Sequence, residues 1–89
     1  MIQLFKLGGV YTTIGAKETI EELEIFKALN RHVKGDWGDL SEEDKETNNK
    51  AVNSDLRIFS SYKDSKNVKF WIITEADRSV TTVLLPEEY

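Results

Sequence analysis

The chain has 89 residues, 39% of them hydrophobic and 31% charged, a balance that suits one compact domain and is too short for two. It has no cysteine, which excludes disulfides and zinc–thiolate sites. A formal net charge of −4 argues against direct tracking of nucleic-acid phosphates, and no apolar run is long enough for a membrane-spanning helix.

In chain order, Ile2 to Leu7 reads as a short strand, interrupted by Gly8-Gly9 and resumed by Val10-Tyr11-Thr12. Met1 to Ala16 lacks a basic region followed by an apolar stretch, so no signal peptide is expected and the cytoplasm is the expected compartment. Thr12 or Thr13 can cap a short helical turn through Ala16 to Thr19. A longer helix spans Ile20 to Val33, with Ile25, Phe26, Leu29 and Val33 on one side of a 3.6-residue wheel. Arg31, His32 and Lys34 complement its dipole, and Gly35 stops it.

Gly35 to Leu40 is a turn, after which Ser41 caps another helix whose first turn holds Glu42, Glu43 and Asp44. That helix is polar almost all round; only Ala51 and Val52 look buriable, so it belongs on the surface. The period then changes to two. Leu56 to Tyr62, Val68 to Thr74 and Ser79 to Leu85 read as strands, separated by Lys63–Asn67 and Glu75–Arg78 and ended by Pro86. Short connections predict an antiparallel meander of these three. The fold class is therefore α+β: an antiparallel sheet of three to four strands, with two to three helices packed on one face.

Charge is unevenly placed, for Lys17–Glu46 holds ten of the sixteen acids and only five of the twelve bases. Within it, Asp36, Asp39, Glu42, Glu43 and Asp44 surround Trp37. First-turn acids favour a helix dipole by ~0.3–1 kcal/mol each, and Trp37 can simply cover the core. Displayed outward, the same carboxylates imitate phosphates and fit a basic nucleic-acid groove, with Trp37 as the anchor.

Glu75, Asp77 and Arg78 gather charge in one turn that can contact a partner, hold a metal or pose two acids. The simpler reading is a turn made by Asp77, with Arg78 paired to Glu75 or Asp77. Trp71 and Ile73 are core if covered, and a homodimer face if the helices shield only Val68, Phe70 and Ile72. Arg57, Lys63, Lys66 and Lys69 near Tyr62 form a small basic stripe of the kind that binds single strands. His32, the sole histidine, reads as a capping or surface group rather than a base. No cofactor or metal is expected, and no enzymatic activity.

Two segments carry a family resemblance: Arg31-His32 with Gly35-Asp36-Trp37-Gly38-Asp39-Leu40-Ser41-Glu42-Glu43-Asp44, and Phe70 through Tyr89. Together, about a third of the chain, they resemble a family of small uncharacterised proteins carried by phages, plasmids and other bacterial mobile elements. One departure is Thr13-Ile14-Gly15, where the family commonly has Thr-Pro-Gly. Small acidic proteins of such elements are often anti-CRISPR or anti-restriction inhibitors. The resemblance thus implies a stoichiometric inhibitor of a host defence nuclease, acting through Asp36, Trp37, Asp39, Glu42, Glu43 and Asp44. The alternative is a dimerising interaction module with no defence target.

Overall fold

The computed structural model describes residues 3–89. In order these form β1 (Gly9–Thr12), α1 (Ile14–Thr19), α2 (Glu22–Val33), α3 (Glu42–Ala51), β2 (Ile58–Lys63), β3 (Lys69–Thr74), β4 (Val80–Leu84) and a 3-10 turn (Pro86–Glu88). The result is an α+β domain with three helices and a four-stranded sheet.

The sheet order is β1-β4-β3-β2. β2, β3 and β4 form the antiparallel meander that their short connections predict. β1 pairs with β4 in parallel, so the sheet is mixed rather than purely antiparallel. The physical reason is the long crossover from β1 to β2. Parallel strands need a connection of a dozen or more residues, and here that connection carries all three helices across one face.

The expected first strand lies elsewhere. Ile2 falls outside the described residues, and the segment from Gln3 to Leu7 is not a strand. Its backbone docks on the end of α2 instead, where the Leu4 N–H donates to the Val33 carbonyl at 2.9 Å and Phe5 enters the core. The strand begins only after Gly8, whose φ of +66° and contact with the Ser79 carbonyl leave no room for a Cβ.

Helix ends follow local chemistry. The Thr13 hydroxyl accepts from the Ala16 N–H at 3.2 Å, and the Ser41 hydroxyl from the Asp44 N–H at 3.1 Å. Register then sorts the strands into two faces. Ile58, Ser60 and Tyr62 lie beside Thr74, Ile72 and Phe70, and Val83 beside Ile72, all toward the helices. One cluster joins Ala16, Ile20, Ile25 and Ala28 to Tyr62, Phe70, Ile72 and Val83. A second joins Phe5, Trp37, Ala51 and Ile58 under α3. Each such buried Ile or Phe side chain stabilises the fold by about 1.5–3 kcal/mol.

The two outer edges of the sheet differ. On β2, the Ser61 N–H donates to Trp37 O at 3.2 Å and the Asp39 N–H donates to Ser61 O at 2.7 Å. Gly38, at φ +75°, lets this segment lie against Ser61, where a Cβ would strike the carbonyl. Further along, Asn48 of α3 grips Phe59 through both its amide nitrogen, 2.5 Å from the carbonyl, and its oxygen, 3.2 Å from the N–H. No comparable cover lies over β1 among the described residues.

Candidate functional site

The acidic segment starts where α2 ends. There Arg31 grips Asp36 with two donors, Nε at 2.8 Å and Nη2 at 3.2 Å, while the Gly38 N–H donates to the same carboxylate at 3.2 Å. The Arg31 guanidinium holds the Asp36 carboxyl below its ordinary range. Arg31 also lies over the Tyr62 ring, 4.7 Å from its centroid. Asp36 thus closes a turn and pairs with Arg31, yet its side chain stays 53% exposed, so it remains on the expected partner surface with its charge partly offset.

Trp37, by contrast, leaves that surface. It is only 3% exposed, packed against both Phe5 and His32, with its indole N–H donating to Asn49 Oδ1 at 2.9 Å. An indole offers far more apolar area than α3 can otherwise supply, so burial wins over display. The expected anchor is a core residue.

Asp39, Glu42, Glu43 and Asp44 remain outward. Glu42 approaches Lys45 at 3.7 Å with its side chain almost wholly in solvent, a pair worth ~0–1 kcal/mol. Successive helical residues turn by about 100°, so Glu42, Glu43 and Asp44 ring the start of α3 rather than line one face. Asp39 precedes them in the same exposed bend. The arrangement is an acidic collar at one end of a helix.

The second charged group resolves into structural contacts. Arg78 has φ +62° and donates to five carbonyls: Ala51 and Leu56 at 2.6 Å, Ser54 at 3.0 Å, and Glu75 and Ala76 at 3.1 Å. It ties the end of α3 to the β3–β4 turn and pairs with neither Glu75 nor Asp77. Glu75 instead meets Arg57 at 3.3 Å. Asp77 accepts from the Ser79 hydroxyl at 2.6 Å and its N–H at 3.0 Å, which lowers its carboxyl below the ordinary range. Among the described residues, no group of three or more His, Asp or Glu side chains is placed to hold a metal ion.

On the sheet face away from the helices, Ile73 is 6% exposed and offers little surface to a second copy. Trp71 is half-buried, edge-on to Phe59 at 5.0 Å and to Tyr89 at 5.8 Å. Arg57 adds a 2.8 Å bond to the Tyr89 hydroxyl. Tyr89 therefore partly covers the face that the sequence suggests for dimerisation. The basic stripe lacks its aromatic platform, because Tyr62 is buried and its hydroxyl donates to the Asp36 carbonyl at 2.7 Å.

His32 is the largest departure among the chemistry-bearing residues. It is fully buried rather than a surface cap. Nδ1 lies 2.5 Å from Ser60 Oγ and Nε2 2.9 Å from Thr74 Oγ1. The chain of bonds continues from Thr74 to Thr81 at 2.8 Å and on to the Leu7 carbonyl at 2.7 Å. Burial lowers the imidazole from 6.5 to about 3. Sealed from solvent, it works as a polar strut. Its position four and seven residues beyond Ala28 and Ile25 is the sequence signal that placed it on the core side of α2.

Between β1 and α2 runs a groove of about 460 Å³, lined by Leu7, Val10, Ile25, Phe26, Leu29 and Val33. Phe26, expected in the core, is 59% exposed on its rim.

The fold and surfaces define a small two-layer α+β domain with an acidic collar and an apolar groove at opposite edges of its sheet. Comparison with protein-family models, with curated proteins and with solved structures finds no match. No helix among the described residues is long and apolar enough to cross a membrane.

Proposed function

We propose that this chain is a stoichiometric binding protein whose acidic collar occupies a basic, nucleic-acid-type groove on a protein partner. The observation that carries the reading is the outward display of Asp39, Glu42, Glu43 and Asp44 at the start of α3. Clustered carboxylates steer toward a cationic cleft and replace the phosphates bound there. The resemblance of the Gly35–Asp44 and Phe70–Tyr89 segments to mobile-element proteins points to a host defence nuclease as the partner, of the kind met by anti-CRISPR or anti-restriction inhibitors. Trp37 supports the collar from below and is not a contact, whereas Asp36 lies exposed beside it, already paired with Arg31.

A pull-down from a bacterial host lysate tests this. Wild-type chain is compared with the variant Asp39→Asn, Glu42→Gln, Glu43→Gln, Asp44→Asn. A retained nucleic-acid-handling protein that duplex DNA displaces, and that the variant no longer holds, is the expected result. Retention untouched by both the substitutions and the DNA refutes the proposal.

A further inference from the structure

The two edges of the sheet are finished in opposite ways. β2 is closed by Asn48 and by the segment around Gly38, whereas β1, among the described residues, has hydrogen-bonding partners on one side only. Edge strands are usually blunted with charge, proline or a bulge. Gly9-Val10-Tyr11-Thr12 has none of these. The Gly9 and Thr13 N–H groups point at β4, bonding to Ser79 O at 2.9 Å and Val83 O at 3.0 Å. By the two-residue alternation of a strand, Val10 and Thr12 turn their N–H and C=O groups outward.

Above that edge, α2 presents more apolar surface than the core uses. Ile25 and Ala28 face the sheet, and the apolar arc continues through Leu29 and Val33 to the exposed Phe26. α2 runs antiparallel to β1. Its Glu22 end lines a recess with Thr12, and its Val33 end meets the segment before β1.

We propose that β1 is a homodimerisation edge, joining two copies of this chain antiparallel into a continuous eight-stranded sheet. A twofold axis through Tyr11 satisfies the outward groups of both copies. Val10 of each faces Thr12 of the other as a doubly hydrogen-bonded pair, and the two Tyr11 rings meet on the far face. The two α2 helices then lie side by side and antiparallel, which brings Phe26 nearest the axis and sets Glu22 against Asn30 of the second copy. Carboxylate meets amide there, and like charges do not. The twofold makes a contact of this type self-closing, so no fibre results. α3 sits by β2, at the opposite edge, so both collars stay exposed at the ends of the joined sheet. This assembly does not depend on what the collar binds.

Sedimentation equilibrium from about 1 to 500 μM, a range that spans dissociation constants of ordinary small dimers, provides the test. The chain is expected to shift from its 10.2 kDa mass to twice that mass. Thr12→Pro, tolerated on an edge strand, and Phe26→Glu should each weaken the dimer at least tenfold. Hydrogen exchange on the wild-type chain supplies a measurement that needs no variant: amide protection at Val10 and Thr12 should rise with protein concentration. A chain monomeric throughout the series overturns the proposal, even if it captures a foreign extended peptide. So does a dimer insensitive to both substitutions, or exchange at Val10 and Thr12 that ignores concentration.

Discussion

His32 shows how one residue can set the acid response of the whole fold. Burial lowers its imidazole from 6.5 to about 3, so the folded chain keeps it neutral where the unfolded chain would take up a proton. Above pH 6.5 both states are neutral and there is no penalty; as pH falls below it, protons favour the unfolded state. Stability should decline by up to about 1.4 kcal/mol per pH unit across that window. The lowered carboxyls of Asp36, Asp77 and Glu88 act in the same sense, but only below their ordinary values of 3.8 to 4.5. Between pH 6.5 and 5 the loss belongs to His32. Urea midpoints measured across that interval should fall for the wild type and stay flat for His32→Gln; equal slopes would contradict the assignment. Arg78 gives a second case. Its fork meets five carbonyls, which Lys cannot reproduce, so Arg78→Lys should destabilise by roughly 2 kcal/mol. A urea midpoint unchanged by the substitution would show the fork to be incidental.

At the scale of elements, α3 is held by Asn48 and by Arg78 as well as by the burial of Ala51. Asn48 supplies an amide that replaces a neighbouring strand at Phe59. Asn48→Ala should cost about 1–3 kcal/mol, because it leaves the Phe59 N–H and carbonyl without partners. It should also raise concentration-dependent aggregation by opening the β2 edge, which light scattering would detect; a stable, unaggregated variant would refute the guarding role. The caps at Thr13 and Ser41, the helical period of α2 and the alternation of Ile58-Ser60-Tyr62 were all legible, because each depends on neighbours within a few positions. Other features depend on distant ones. The parallel pairing of β1 comes from a crossover that no local signal encodes. Trp37 reads as a surface anchor, yet Phe5 claims it, while Asp36 stays at the surface paired with Arg31. Phe26 shares a wheel face with Val33, but the sheet ends beneath it. Of the candidate site, the exposed acids of α3 were readable from capping chemistry, while the groove required the tertiary fold.

For the whole molecule, charge and apolar surface are segregated. The acids concentrate in Lys17–Glu46, and the Asp39–Asp44 part of them crowns the β2 side of the domain. The bare β1 edge and Phe26 occupy the other side. A partner attracted to the collar and a second copy at β1 do not compete, so one assembly can present two collars. Attraction of this kind weakens as salt shortens the Debye length from about 10 Å at 0.1 M to about 3 Å at 1 M. The decisive measurement is the affinity of the captured partner for the wild-type chain and for the four-residue neutralised variant, each at low and high salt. Tight, salt-sensitive binding by the wild type, with the variant weakened at least tenfold and nearly salt-independent, is the result expected for an acidic collar in a basic groove. Equal affinities and equal salt dependence for the two chains would contradict it.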